Sequence, residues 1–178
     1  MKKQNIILIG FMGAGKTSVG KAIAEIRKKP LIDTDQMIEE YAGMTISRIF
    51  AEKGEKAFRQ LETEVLERLL ETADGDVISV GGGLPMREEN RTLLKKLGMV
   101  VYLKVEPETV LERLKGDTTR PLLQAEDVKK RVQSLLAERG PVYTEAAHQT
   151  LAVDGRDIMD LAKEIIGMAA EGKGQEMR

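Results

Sequence analysis

The chain has 178 residues, 42% of them hydrophobic, enough for one compact domain with a real core and too few for a second independent one. Its 28 lysines and arginines nearly balance 29 aspartates and glutamates, which excludes a global field drawing it to nucleic acid or an anionic membrane; any polyanion it binds must meet a local site. The absence of cysteine excludes disulfides and thiolate metal centres, no apolar run approaches the ~20 residues of a membrane span, and "MKKQNIILIG" has neither the apolar length nor the cleavage pattern of a signal peptide, so a soluble cytoplasmic protein is expected.

In chain order, five short runs rich in Val, Ile and Leu read as strands: 5–10, 30–35, 76–82, 99–105 and 150–154. The first, third and fourth are continuously apolar, the pattern of strands covered on both faces. Between them lie helical patterns at 16–28, at 35–53 with a break near Gly43, and at 55–72, 88–97, 108–115, 125–139 and beyond, and 157–170. Such alternation predicts a parallel sheet between two helical layers, a three-layer α/β/α domain over residues 1–170. The tail 171–178, "EGKGQEMR", has no period and little apolar content and is expected to be frayed or disordered.

Directly after the first strand comes "GFMGAGKT", Gly10 to Thr17, which fits G-x-x-x-x-G-K-[ST] and opens a helix. Strand, glycine loop and helix in that order are the context of a phosphate-binding loop. Glycines let backbone N–H groups turn in toward phosphate oxygens, and the helix start adds positive dipole. Gly13, Ala14, Gly15, Lys16, Thr17 and Ser18 are therefore the expected nucleotide contacts. Lys16 reaches the β and γ phosphates and Thr17 offers its hydroxyl to Mg²⁺, with ATP as co-substrate.

A GTPase would carry N-K-x-D and D-x-x-G; the two asparagines, Asn5 and Asn90, lack the first pattern, and no aspartate has a glycine three residues on. Motor and transporter ATPases usually end an apolar strand in a metal-associated aspartate, whereas "VISVGGG" ends in glycines. A small-molecule or nucleotide kinase fits better: a central five-stranded parallel sheet, an acceptor-binding region about 33–62 and a mobile lid about 113–125. A gluconate or nucleoside monophosphate kinase, and a nucleotide-binding module without catalysis, remain alternatives on these residues.

The motifs "GFMGAGKT", "DTD" (33–35), "IFAEKGEKAFRQLE" (49–62), "GGG" (81–83), "TRPLL" (119–123) and "ERGPVY" (138–143) follow one another in the order and spacing of the shikimate kinases, which the chain resembles over almost its whole length. That resemblance implies transfer of the ATP γ-phosphoryl group to the 3-hydroxyl of shikimate, a small cyclic acid, by a monomer.

Arginine suits the acceptor's carboxylate because its planar donors match both oxygens. On residues alone, Arg59 and Glu62 could be a plain i, i+3 surface pair, and Arg139 a helix-terminal arginine beside Pro141, which should end or kink its helix. The resemblance implies instead that Arg59 and Arg139 hold the carboxylate, that Glu62 positions Arg59, and that Gly81, Gly82 and Gly83 lie against the substrate. Arg120, in the break 115–123, could close on the phosphates, while Arg113 and Arg156 are the expected residues at the adenine end. His148 and the nine methionines are given no role.

The pair Asp33 and Asp35 is expected to divide its work. Asp33 serves the Mg²⁺ shell, and Asp35 accepts a hydrogen bond from the acceptor hydroxyl and draws off its proton, while also standing where an N-cap would begin the next helix.

Overall fold

The computed structural model describes residues 4–116 and 127–176. Its centre is the most apolar strand, β1 (Asn5–Ile9), whose residues Ile6 to Ile9 are wholly buried. On either side lie β3 (Val77–Ser79) and β4 (Gly98–Lys104), with β2 (Leu31–Asp33) beyond β3 and β5 (Gln149–Ala152) beyond β4. Every pairing is parallel, so all five strands deliver their C-terminal ends to one edge, where open α/β sheets bind ligands.

The seven α-helices among the described residues are α1 (Lys16–Arg27), α2 (Thr34–Ala42), α3 (Ile46–Thr72), α4 (Glu88–Leu97), α5 (Pro107–Arg113), α6 (Val128–Ala146) and α7 (Ile158–Glu176). From β1 to β2 the chain moves toward one side of the sheet, and from β3 to β4 toward the other. Right-handed crossovers therefore put α1 and α4 on opposite faces. The packing agrees: α1 lies beside α7, while α4 touches both α3 and α6. The expected three layers are present.

The five strands and the α-helices fall where the sequence reading puts them, with differences at their ends; a short 3₁₀ turn at Leu84–Met86 was not expected. The expected break near Gly43 separates α2 from α3, with Gly43 in the left-handed region at φ 66°. The split expected between 53 and 55 is a single non-helical residue, Gly54 (φ 83°, ψ 171°), inside α3. Pro141, expected to end or kink its helix, does not end it: α6 runs on to Ala146, in line with a pattern expected to continue beyond 139, and the cost is the one N–H that proline cannot supply. One expectation is corrected. The tail is helical as far as Glu176 instead of frayed from 171, since Ala169, Ala170 and Glu171 are good helix formers that extend α7. The expected lid falls mainly on residues 117–126, outside the described residues. None of the described helices is long and apolar enough to cross a membrane.

Candidate active site

The site begins where β1 turns into α1. Gly13 (φ 77°) and Gly15 (φ 91°) hold left-handed conformations that let the chain reverse sharply around a cradle of N–H groups. Lys16 caps this cradle: its amine donates to the carbonyl of Gly10 and, at 3.2 Å, to that of Phe11. Ala14 is buried, and its N–H donates to Phe11 O at 3.1 Å; Thr17 and Ser18 stand exposed in the first turn of α1. From α5, Arg113 donates to the Gly13 carbonyl at 2.7 Å, which brings one expected base-end residue onto the loop itself.

Beside the loop stand the two aspartates. Asp33, not Asp35, is the N-cap of α2: its Oδ1 accepts from the N–H of Asp35 at 2.8 Å and of Gln36 at 3.2 Å. The strand ends two residues earlier than the sequence suggested, which moves the cap upstream. Asp35 then lies in the first turn of α2, half-buried, with its pKa raised above the ordinary aspartate value. Burial is the main cause, Asp33 adds to it, and Lys16 and Arg59 oppose it. A carboxylate so placed is a better proton acceptor than an exposed one.

The chain also fits a divalent cation. Gly20 of α1 packs on Leu31 of β2 so closely that a Cβ would fall 2.8 Å from Leu31 Cδ1. From that contact one turn back along α1 leads to Thr17, and two residues on along β2 lead to Asp33. Both steps run toward the same edge of the sheet, so a hydroxyl and a carboxylate, hard oxygen donors suited to Mg²⁺, converge there. Asp33 uses Oδ1 for its cap contacts; Oδ2 makes none of them.

The acceptor side is built by α3 and the glycines after β3. Arg59 Nη1 donates to both carboxylate oxygens of Glu62, and its guanidinium also covers the Phe58 ring at 5.3 Å. Burial pushes Glu62 up to about 7, against the pull of Arg59. A Cβ on Gly81 would sit 2.6 Å from Asp35 Oδ1, and one on Gly83 2.5 Å from Arg59 Nη1. Glycine is thus required for both side chains to approach the strand end. On Gly82 the corresponding position is 3.6 Å from Arg139 Nη1, so the second arginine converges on the same three residues.

Sequence reasoning missed the residues that brace this arrangement. Thr34, fully buried between the two aspartates, accepts from the Gly81 N–H at 3.0 Å. Arg87 donates to the Arg59 carbonyl and to Thr63 Oγ1, and Thr63 in turn donates to Asn90. Asn90 holds the Leu84 carbonyl at 2.9 Å. Only the "DTD" spacing carried a signal for any of them, in that a threonine between two functional aspartates at a strand end must point elsewhere. His148 serves the fold, since its Nδ1 accepts from the Val100 N–H at 3.0 Å.

Two expected residues are not brought in. Arg120 lies outside the described residues. Arg156 follows β5 at the same sheet edge but is engaged by Glu164 of α7.

A phosphate loop at the C-terminal edge of a parallel sheet, with arginines and a raised carboxylate converging beside it, defines a P-loop phosphotransferase acting on a small acidic acceptor. The family model described as "Shikimate kinase" matches residues 12–170. A curated shikimate kinase of Symbiobacterium thermophilum is 43% identical over 164 residues, spanning 91% of this chain and 94% of that protein. Among solved structures, shikimate kinase from Acinetobacter baumannii in complex with shikimate matches with a TM-score of 0.88 and 41% identity, over 95% of this chain and 94% of that one. The chain belongs to the shikimate kinase family. A gluconokinase from Sinorhizobium meliloti, 19% identical with a TM-score of 0.56, shares the fold alone.

Proposed function

We infer that this protein transfers the γ-phosphoryl group of ATP to the 3-hydroxyl of shikimate, giving 3-phosphoshikimate and ADP. The observation that carries this reading is the convergence of Arg59, Arg139 and Asp35 on Gly81, Gly82 and Gly83 beside the loop. Two guanidinium groups match a carboxylate, and one raised aspartate matches a hydroxyl, which is the functional-group pattern of a hydroxylated cyclic acid.

Lys16 leaves the Gly10 and Phe11 carbonyls for the β and γ phosphates, helped by the loop N–H groups and the α1 dipole. Arg59, held by Glu62, and Arg139 fix the carboxylate and so place the hydroxyl in line with the γ phosphate. Asp35 orients that hydroxyl and takes its proton as the new P–O bond forms. Thr17 and Asp33 would hold Mg²⁺, which would supply charge neutralisation on the phosphates. We assign Arg113 and Arg156 to the base end and Arg120 to the phosphates; the contact of Arg113 with the Gly13 carbonyl supports the first of these. One hydrophobic core in a domain of this size supports a monomer, and a chain without cysteine is compatible with a reducing cytoplasm.

The test is ADP release with ATP and Mg²⁺ against shikimate, gluconate and AMP in parallel. Release dependent on shikimate is expected; its absence would sink the reading, and release with gluconate or AMP instead would reassign the acceptor.

A further inference from the structure

We propose that Tyr143 is a positioning residue for the acceptor: its buried hydroxyl links the Arg139 guanidinium to the Gly82 carbonyl and so fixes where the acceptor's carboxylate is held. The proposal deepens the shikimate reading and rests on it, since that reading is what makes Arg139 a substrate-binding residue.

Tyr143 follows Arg139 by four residues in α6, and because the helix continues through Pro141 the two side chains share a face. Had proline ended the helix, they would diverge. The tyrosine is wholly buried, with its ring on Tyr102 of β4 at a centroid distance of 5.1 Å. Its hydroxyl donates to Gly82 O at 2.6 Å. The position a Cβ on Gly82 would occupy is 3.5 Å from that hydroxyl and 3.6 Å from Arg139 Nη1, so both groups border the same point of the pocket wall.

The direction of the link follows from donor counting. A guanidinium can only donate and a carbonyl can only accept, whereas a phenol does one of the first and up to two of the second. In the proposed link Arg139 is thus the donor to the hydroxyl, while the hydroxyl's own proton goes to the Gly82 carbonyl. Burial pushes the phenol up to about 12, with Arg139 opposing, so the proton stays in place across neutral pH. Peptide planarity carries the effect further: once the Gly82 carbonyl is fixed, the peptide that leads into Gly83 is fixed with it, and Gly83 is the residue whose Cβ position abuts Arg59. One hydroxyl thus references both arginines to the same strand end. A phenylalanine would fill the same volume and satisfy the core, but it would leave Arg139 and the Gly82 carbonyl without this partner.

Tyr143→Phe is therefore the informative variant. We expect the KM for shikimate to rise about tenfold, the scale of one lost hydrogen bond to a charged group, with kcat falling less than about threefold and the KM for ATP within about twofold. In an Arg139→Ala background the same change should add less than about twofold, because the hydroxyl acts through Arg139. A KM for shikimate that stays put in Tyr143→Phe, or an equal rise in both backgrounds, overturns the proposal. Wild type is assayed alongside: if it shows no shikimate-dependent turnover, the acceptor reading itself falls, which is distinct from an active wild type with an unshifted variant. Should Tyr143→Phe fold poorly, NMR of the Arg139 guanidinium in acceptor-free wild type decides. Separate, slowly averaging Nη signals are expected, and free rotation would overturn the link.

Discussion

Arg59 Nη1 lies 3.0 Å from Oε1 and 2.8 Å from Oε2 of Glu62, and the carboxylate it holds is 1% exposed. Arg59, which we assign to the acceptor's carboxylate, is therefore anchored by a buried carboxylate of its own helix. Arg59→Ala should strip acceptor binding and also destabilise the fold, by about 3–5 kcal/mol at pH 8, because a buried charge is left unpaired. At pH 5 the structural loss should shrink, since Glu62 can take a proton. Urea unfolding at the two pH values checks this, and an equal loss at both would contradict it.

Glu62 also sets a pH dependence of its own. Its pKa is about 7 in the fold against 4.5 in the open chain. Between those values the folded state keeps a proton that the unfolded state has released. The group therefore favours folding fully below about pH 4.5 and loses that contribution as pH rises through 7. Glu62→Gln, which cannot titrate, should gain stability relative to wild type from pH 5 to pH 7 and then level off. A difference that is flat, or that falls, over this window would show that Glu62 is not the titrating group.

The cap found at Asp33 allows its two roles to be separated. Asn caps as well as Asp, so Asp33→Asn should keep stability while raising the Mg²⁺ concentration needed for half-maximal rate. Asp33→Ala should show the same Mg²⁺ effect and lose about 1 kcal/mol besides. Asp35→Asn should lower kcat with ATP binding retained. If Asp33→Asn leaves the Mg²⁺ requirement unchanged and Asp35→Asn raises it, the roles are exchanged.

Gly81→Ala and Gly83→Ala each place a methyl group against a working side chain, 2.6 Å from Asp35 Oδ1 and 2.5 Å from Arg59 Nη1. Displacing those groups should raise the KM for shikimate about five- to hundredfold, the range of overpacking penalties of about 1–3 kcal/mol, with nucleotide affinity little changed. Gly140→Ala, where a Cβ meets nothing within 4 Å, is the control. Steady-state kinetics on the three variants would expose the idea as wrong if all behaved alike.

The fold was legible because each signal was local. Ile6 to Ile9 announce a doubly covered strand, and "GFMGAGKT" announces the turn that follows it. The site was legible only in part. Lys16, Thr17 and the aspartates sit within motifs whose chemistry is complete over a few residues. Arg59 and Arg139 needed the family resemblance, because they lie far apart in the sequence and only the fold brings both to the glycines after β3. Arg87 and Tyr143 carried no local signal, since a bracing residue is defined by its partners and not by its neighbours. At Pro141 the local rule left ending and kinking both open, and the helix that runs on through it shows tertiary packing on both sides outweighing one missing hydrogen bond.

The strand order β2-β3-β1-β4-β5 has a bearing on how the chain acquires its fold during synthesis. β1 pairs only with β3 and β4, and β2 pairs only with β3, so no ladder of the sheet can form until Val77 has emerged. The most apolar strand of the protein, with the phosphate loop attached, waits without a neighbour while everything up to Val77 is translated. Helices α1 to α3 are made in that interval and can only gather loosely, since their apolar faces have no sheet to rest on. β3 is the keystone: its three residues join β1 to β2 in one step, and the glycines that follow it complete the pocket as the sheet appears.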